Sequence, residues 1–451
     1  MVEIPLKMYV QNLAKQARES MRAVGLLSGV SRVHLLFAVA EHLDAHIDEI
    51  FQANRADLDV IPKDGDMSVY RQALERVRLT DESVKDMITF LRDVAELPDP
   101  IGEATQLWNT VDGLQVRRVR IPLGVIGVIS EMAPRVLIES FALCLKSGNV
   151  CLYRGGREWE QTNAALAKMI HDVLATEHLP SSMFTFIDRS EPEGALELCR
   201  LTQYVNAIVP RGKGGLRKAV MEQSRVPVLG YDGSLSHVYI DGDVDLPLAQ
   251  TLVVNSKVQD PEASNAVDTV LVHQAAARKL LPGLLRRLLE EWKVDLFGCP
   301  QTISIMGVME MTGHKGIHPA TDKTWKTKFQ SLTLAVKVVN TVDEAIEHIT
   351  QDGPGHTDTI VTRDYGNAMQ FVRDVNSSAV FVNASTRLHS GPGLELGPEL
   401  GMNTTPFQPR GPLTLKALTS EKFVGLGVGH LSYPHPVPQA YEDAMMMSPK
   451  F

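Results

Sequence analysis

Pro122–Gly156 reads PLGVIGVISEMAPRVLIESFALCLKSGNVCLYRGG. PLGVIGVI (122–129) is a near-continuous run of β-type residues. A helical pattern follows over 136–147, then NVCLYRG as a second strand that ends in glycines. A strand without polar alternation is covered on both faces. Two such strands joined by a helix predict a parallel sheet. The pattern runs on. QTNAALAKMIHDVLATEH reads as a helix, and FTFI, YVNAIV and HVYI continue the strands with helices between them. Residues 267–383 repeat the theme: AVDTVLVH, a helix 275–292, LTLAVKVV, a helix 343–349, DTIVT, a helix 365–375 and SAVFVN. The fold class is therefore α/β with two parallel-sheet domains. Ligands of such sheets are expected at the carboxyl ends of the strands.

The flanks differ. Leu35, Leu36, Ala38, Val39, Leu43, Ile47 and Ile50 form a helical apolar stripe within 8–60. Thr80-Asp81-Glu82 caps another helix that Pro98 and Pro100 stop. Val111, Leu114, Val116, Val119 and Ile121 alternate around Asp112-Gly113, a hairpin signal within 103–121. Arg117-Arg118 fits a solvated edge.

The chain has 451 residues, enough for two or three domains. Its net charge is −9 with no basic tract, which argues against nucleic acid or an anionic membrane surface. No apolar run reaches a membrane span, and the start has no secretory pattern. Four cysteines without a CxxC pair indicate a reducing, cytoplasmic setting. No metal-ligand spacing occurs.

Three turns carry candidate chemistry. Arg154-Gly155-Gly156 and Pro210-Arg211-Gly212-Lys213-Gly214-Gly215 both follow strands, and the second opens a helix. Glycine lets a backbone approach a ligand, and a helix head favours an anion. With three cations beside them, the two turns suggest an NADP-type dinucleotide site. The third turn lies in Asn255–His273, NSKVQDPEASNAVDTVLVH, where Ser264 and Asn265 precede a Val- and Thr-rich strand. A polar turn at a strand mouth suits a nucleophile, though such turns also satisfy their own backbone.

These residues carry a resemblance. IPLGVIGVI, ALCLKSGNV, LYRGG, IVPRGKGGL, LAVKVV, DEAIEHI, GHTDTIVT, FVNASTR and ELG-MNT-RGPLTL resemble, in order, γ-glutamyl phosphate reductase of the aldehyde dehydrogenase superfamily. The resemblance implies an aldehyde-dehydrogenase-like fold. Its dinucleotide domain would span 1–255 apart from the hairpin, and its catalytic-type domain 256–404. Oligomerisation elements would fall at 103–121 with 405–451. It implies NADPH as cofactor and a dimer or larger homo-oligomer. The implied reaction is reduction of L-glutamyl 5-phosphate to the semialdehyde in proline biosynthesis. A kinase-type protein partner is a further expectation.

By position, the resemblance implies catalytic places at Ser264, Asn265 and Arg135. Cofactor places fall at Arg154, Gly155, Gly156, Arg211, Gly212, Lys213, Gly214 and Lys328. Substrate places fall at Glu131, Asn383, Ser385, Thr386 and Arg387. Several of these depart from the family's pattern. Its cysteine nucleophile is Ser264, its oxyanion asparagine is Arg135 and its ribose-binding glutamate is Lys328. Its substrate arginine is Ala133, and the arginine before the proline of the nucleophile segment is Asp260. A thiolate forms readily near neutral pH, whereas a serine hydroxyl needs an adjacent base. These replacements imply a degenerate or repurposed member. The alternatives are an NADPH-dependent reductase working through Ser264 or by direct hydride transfer, a non-catalytic metabolite-binding or partner-supporting protein, and different chemistry on an acyl phosphate. Arg135 is expected either to hold an anion with Lys328 or to pair with Glu262 or Asp260.

Overall fold

A computed structural model of the chain describes residues 4–63, 66–212, 214–230, 233–308, 315–407 and 409–432. It divides into two compact units. One comprises 1–128, 133–207 and 415–451, and the other 129–132 and 208–414.

The first unit opens with helices α1 (Leu6–Leu26), α2 (Gly29–Ala45), α3 (Ile47–Asp59), α4 (Met67–Val77) and α5 (Asp81–Glu96). The stripe over Leu35–Ile50 belongs to two helices, because the chain leaves helical geometry at His46. Thr80 caps α5 by accepting from the Ser83 amide at 3.1 Å, while Ser83 Oγ accepts from the Thr80 amide at 2.9 Å. Strands β1 (Ala104–Asn109) and β2 (Gln115–Pro122) form the expected hairpin, with Gly113 at φ +90° in its turn. Val111 sits in that turn, fully exposed, and not in a strand. Thr419–Leu426 pairs antiparallel with β2, so the hairpin and the tail form one three-stranded sheet.

Strand β3 (Val125–Ser130) is buried along its whole length, as its apolar run requires. It leads to α6 (Arg135–Lys146), β4 (Val150–Arg154), α7 (Glu160–Thr176), β5 (Phe184–Ile187), α8 (Pro192–Leu198) and β6 (Ala207–Arg211). The sheet order is β5-β4-β3-β6. The chain passes between the units within β3 and again within β6.

The second unit continues through α9 (Gly214–Gln223), β7 (Ser236–Ile240), α10 (Leu246–Val258), β8 (Thr269–His273), α11 (Gln274–Arg286), β9 (Asp295–Gly298), α12 (Pro300–Val308) and β10 (Ile317–Pro319). β11 (Thr333–Val339), α13 (Val342–Asp352), β12 (Thr357–Val361), α14 (Tyr365–Asp374) and β13 (Ala379–Val382) complete it. Seven parallel strands take the order β10-β9-β11-β8-β7-β12-β13. Alternation divides their core. Val238, Ile240, Val270 and Val336 pack on one face with α10 and α11. Tyr239, Leu271, Ile360 and Phe371 pack on the other with α13 and α14.

One sequence expectation changes here. The sequence pattern has HVYI continuing the first sheet. β7 instead pairs with β8 and β12 in the second sheet. A doubly covered strand looks the same in either sheet, and its partners are set by distant residues. Among the described residues, no single helix is long and apolar enough to cross a membrane.

Candidate active site

Ser264 lies in the turn between α10 and β8, half-buried, with Asn265 to Asp268 buried after it. The turn stands at the amino end of β8. Sequence reasoning placed ligands at carboxyl ends, and the Ser264 turn departs from that rule because the loop before the strand delivers the residue. Asp268 anchors the loop. Its carboxylate accepts from the Ser236 and Phe329 amides, each at 3.2 Å.

Two lysines fill the space under the turn. Lys328 Nζ donates to the Ser264 carbonyl (3.0 Å), the Ala266 carbonyl (2.8 Å) and Asp268 Oδ2 (2.9 Å). An ammonium has three donors, and all are used here. Burial lowers the Lys328 pKa despite Asp268, which opposes the shift. Lys257 is fully buried, donates to the Val267 carbonyl at 3.1 Å and lies 5.9 Å from the Phe329 ring centroid. Burial pushes its pKa down to about 8. The expectation that Lys328 would hold an external anion does not survive this geometry, since the ammonium is spent on the protein's own oxygens.

A strap, residues 383–389, crosses beside the turn. Asn265 Nδ2 donates to the carbonyls of Arg387 (3.3 Å) and His389 (3.0 Å), and its Oδ1 accepts from Arg387 Nη1. Arg387 Nε donates to Gln259 Oε1 at 3.1 Å, and Nη2 reaches Asp260 Oδ2 at 3.5 Å. Ser385 Oγ is 3.0 Å from Ser256 Oγ, which also accepts from the Thr386 amide at 3.2 Å. These two strap residues therefore brace α10. Asn383 is elsewhere. At φ +54° it clamps Thr362 through both side-chain atoms at 2.9 Å, beyond the carboxyl end of β12. The resemblance implies a shared substrate place for Asn383 and Ser385; in the structure Asn383 bonds Thr362, whereas Ser385 bonds Ser256.

Sequence reasoning missed a histidine layer under the strap. His389 Nδ1 and His356 Nδ1 each lie 2.7 Å from Thr357 Oγ1. One hydroxyl proton cannot serve both rings, so at least one ring donates from Nδ1. Burial lowers His389 to about 4 and holds His356 well below its ordinary value. Lys257 and Asp268 were missed too. A charged residue beside an apolar run, in helix α10 for Lys257 and before strand β8 for Asp268, was their only signal.

The remaining candidates form separate groups. Arg135, at the head of α6, pairs with Glu139 at 2.7 Å. The expected pairing was with Glu262 or Asp260; within their own units, Arg135 is paired to an i,i+4 acid on its helix and Asp260 to Arg387. Arg154 is buried and donates to the Ser190 carbonyl. Gly155 is bare because Asn163 Nδ2 lies 2.4 Å from where a Cβ would stand. Gly156 is extended. Glu131 donates its amide to the Arg211 carbonyl at 2.8 Å. A Cβ at Gly212 would meet Leu216 Cδ2 at 2.8 Å and Glu131 Oε2 at 3.0 Å. Lys213 lies outside the described residues. At the head of α9 the backbone is open. A Cβ on Gly214 would meet only Arg217 Nη2 at 3.9 Å, and on Gly215 nothing within 4 Å.

Comparisons with known proteins place this arrangement in the aldehyde dehydrogenase class: the pattern described as "Aldehyde dehydrogenase family" matches residues 7–296. The γ-glutamyl phosphate reductase of Thermodesulfovibrio yellowstonii is 40% identical over 94% of this chain and 99% of its own. That of Carboxydothermus hydrogenoformans is 38% identical over 94% and 99%. The crystal structure of the Thermotoga maritima γ-glutamyl phosphate reductase superposes with a TM-score of 0.88 at 36% identity, covering 94% of this chain and 99% of that one. The chain belongs to the γ-glutamyl phosphate reductases of the aldehyde dehydrogenase family. An acetylating aldehyde dehydrogenase from Geobacillus thermoglucosidasius shares the fold alone, at a TM-score of 0.65 and 16% identity over 95% and 98% of the chains. Membership implies a nicotinamide dinucleotide, a small-molecule substrate and a place in proline biosynthesis. The open glycine turn at α9 fits a phosphate-bearing ligand. Lys328 does not fit the ribose-binding role, because its three donors are taken by Ser264, Ala266 and Asp268 and an ammonium has no acceptor.

Proposed function

We propose that this chain keeps the γ-glutamyl phosphate reductase scaffold as a binding protein for an acidic acyl phosphate or related metabolite, and forms no covalent enzyme intermediate at Ser264. The observation that carries this reading is the surroundings of Ser264. Among the described residues, nothing hydrogen-bonds its hydroxyl, and the adjacent cation Lys328 is consumed by three acceptors. A serine without a base is a poor nucleophile. The ester it would form also accepts hydride less readily than a thioester.

NADPH is the cofactor this reading carries, held more weakly than in a member with the ribose acid. The glycine turn at α9 and the head of that helix support phosphate binding. The assembly is a homo-oligomer of at least two chains. Its contact is the β1-β2 arm with Thr419–Leu426, where Leu107, Val111 and Phe423 are exposed. The protein acts in the cytoplasm, beside a kinase that would supply the acyl phosphate. A second reading, direct hydride transfer from NADPH to the acyl phosphate, draws on the identity to reductases across 94% of the chain.

The test is NADPH oxidation with glutamyl phosphate generated in situ by a glutamate kinase. The expected result is no turnover by the natural protein. Turnover that is retained in Ser264→Ala would favour the second reading. Turnover lost in Ser264→Ala would overturn the proposal.

A further inference from the structure

We propose that Asp260 is a built-in occupant of the Arg387 guanidinium, so that an acidic ligand binds the Ser264 turn only by displacing it. The inference rests on the reading of this turn as a site for an acidic metabolite. A guanidinium grips a carboxylate or phosphate through a pair of N–H groups. In Arg387, Nε and Nη1 are directed at the neutral amide oxygens of Gln259 and Asn265. Its ion-pair partner is Asp260, through Nη2 at 3.5 Å. Glu399 adds a longer-range favourable field.

The pair is unequal. The Arg387 side chain is 17% exposed and that of Asp260 51%. The acid therefore sits on the solvent side of a mostly buried cation. At 3.5 Å the contact is at the limit of hydrogen bonding and readily exchanged. An arriving carboxylate or phosphate meets Arg387 already neutralised, and meets the Asp260 charge on its own path. Lys328, the neighbouring cation, is engaged by its three acceptors and does not compensate.

The consequence is a lowered affinity for the acidic ligand, which must compete with Asp260. An ion pair at 3.5 Å with its acid half exposed is weak, so its removal should raise affinity by about three- to fivefold. The experiment titrates the full chain by calorimetry with L-glutamate and, separately, with inorganic phosphate. The variants are Asp260→Asn, Arg387→Met and Arg387→Lys, each checked by thermal melting. Asp260→Asn should bind one probe three- to fivefold more tightly than the natural protein, and that probe identifies whether the recognised group is the carboxylate or the phosphate. Arg387→Met should lose that binding, and Arg387→Lys, which keeps the charge without the fork, should fall between. Equal affinity in Asp260→Asn and the natural protein, with loss in Arg387→Met, would overturn the occupant role while leaving the binding reading intact. Undiminished binding in Arg387→Met, or no binding of either probe by any variant, would overturn the binding reading and this inference together.

Discussion

The Arg211–Gly215 turn and the Ser264 turn belong to the same unit and differ in how they treat charge. The first stands at the carboxyl end of β6 and opens α9 at Gly214 and Gly215, where the backbone is uncrowded, after a crowded Gly212. The second stands at the amino end of β8 and is packed with its own ions: Lys257, Lys328, Asp268, Asp260 and Arg387. One is shaped to receive a group from outside. The other has internal partners for most of what it presents. A scaffold can therefore keep a binding turn while the charges of its reaction site close upon one another.

The comparison breaks most easily at Lys328. Lys328→Met would leave the buried Asp268 carboxylate without its close ion partner, at a cost of roughly 3 kcal/mol or more. Urea unfolding measures it. A change under about 1 kcal/mol would mean the internal network contributes little. Lys328 also lowers the Lys257 pKa, so the same variant should return Lys257 toward its ordinary value.

Lys257 sharpens the comparison through pH. Folded Lys257 releases its proton near 8, against 10.5 ordinarily. Between those values the unfolded chain binds more protons, so stability rises with pH through that window, by up to roughly 3 kcal/mol. Below 8 the full burial penalty stands. Denaturant unfolding across this range should show the rise, and Lys257→Met should flatten it.

On the acid side the histidine layer acts. His389 protonates near 4 when folded and near 6.5 when unfolded. The unfolded chain binds more protons in between, so stability falls as pH drops through 6.5 toward 4, by roughly 2 kcal/mol at pH 5. An unchanged midpoint between pH 7 and pH 5 would show that the imidazole is not held neutral. The smallest effect belongs to the open turn. Gly212→Ala meets a flexible Leu216 and the end of Glu131, so thermal melting should show a loss of only about 1 kcal/mol. It should weaken NADPH binding more than it weakens the fold.

Much of the fold was legible in local pattern. Unalternated strands such as 125–130 and the capped helix at Thr80 follow from near neighbours. The sheet membership of β7 was not legible, because it depends on β8 and β12, far along the chain. At the site, the polar turn marked Ser264 and Asn265, while Arg387, which the structure bonds to Asn265, was reached through the family resemblance. Asn383, named through the resemblance, pairs with Thr362. The partners of Asp260, Lys257 and Lys328 were out of reach, because pairing in a folded pocket leaves no periodic trace.

The central claim is that Ser264 forms no covalent intermediate. Intact-protein mass measurement, after exposure to glutamyl phosphate made in situ and rapid acid quench, tests it most directly. The account predicts an unchanged mass for the natural protein. A glutamyl adduct that maps to Ser264 would contradict it.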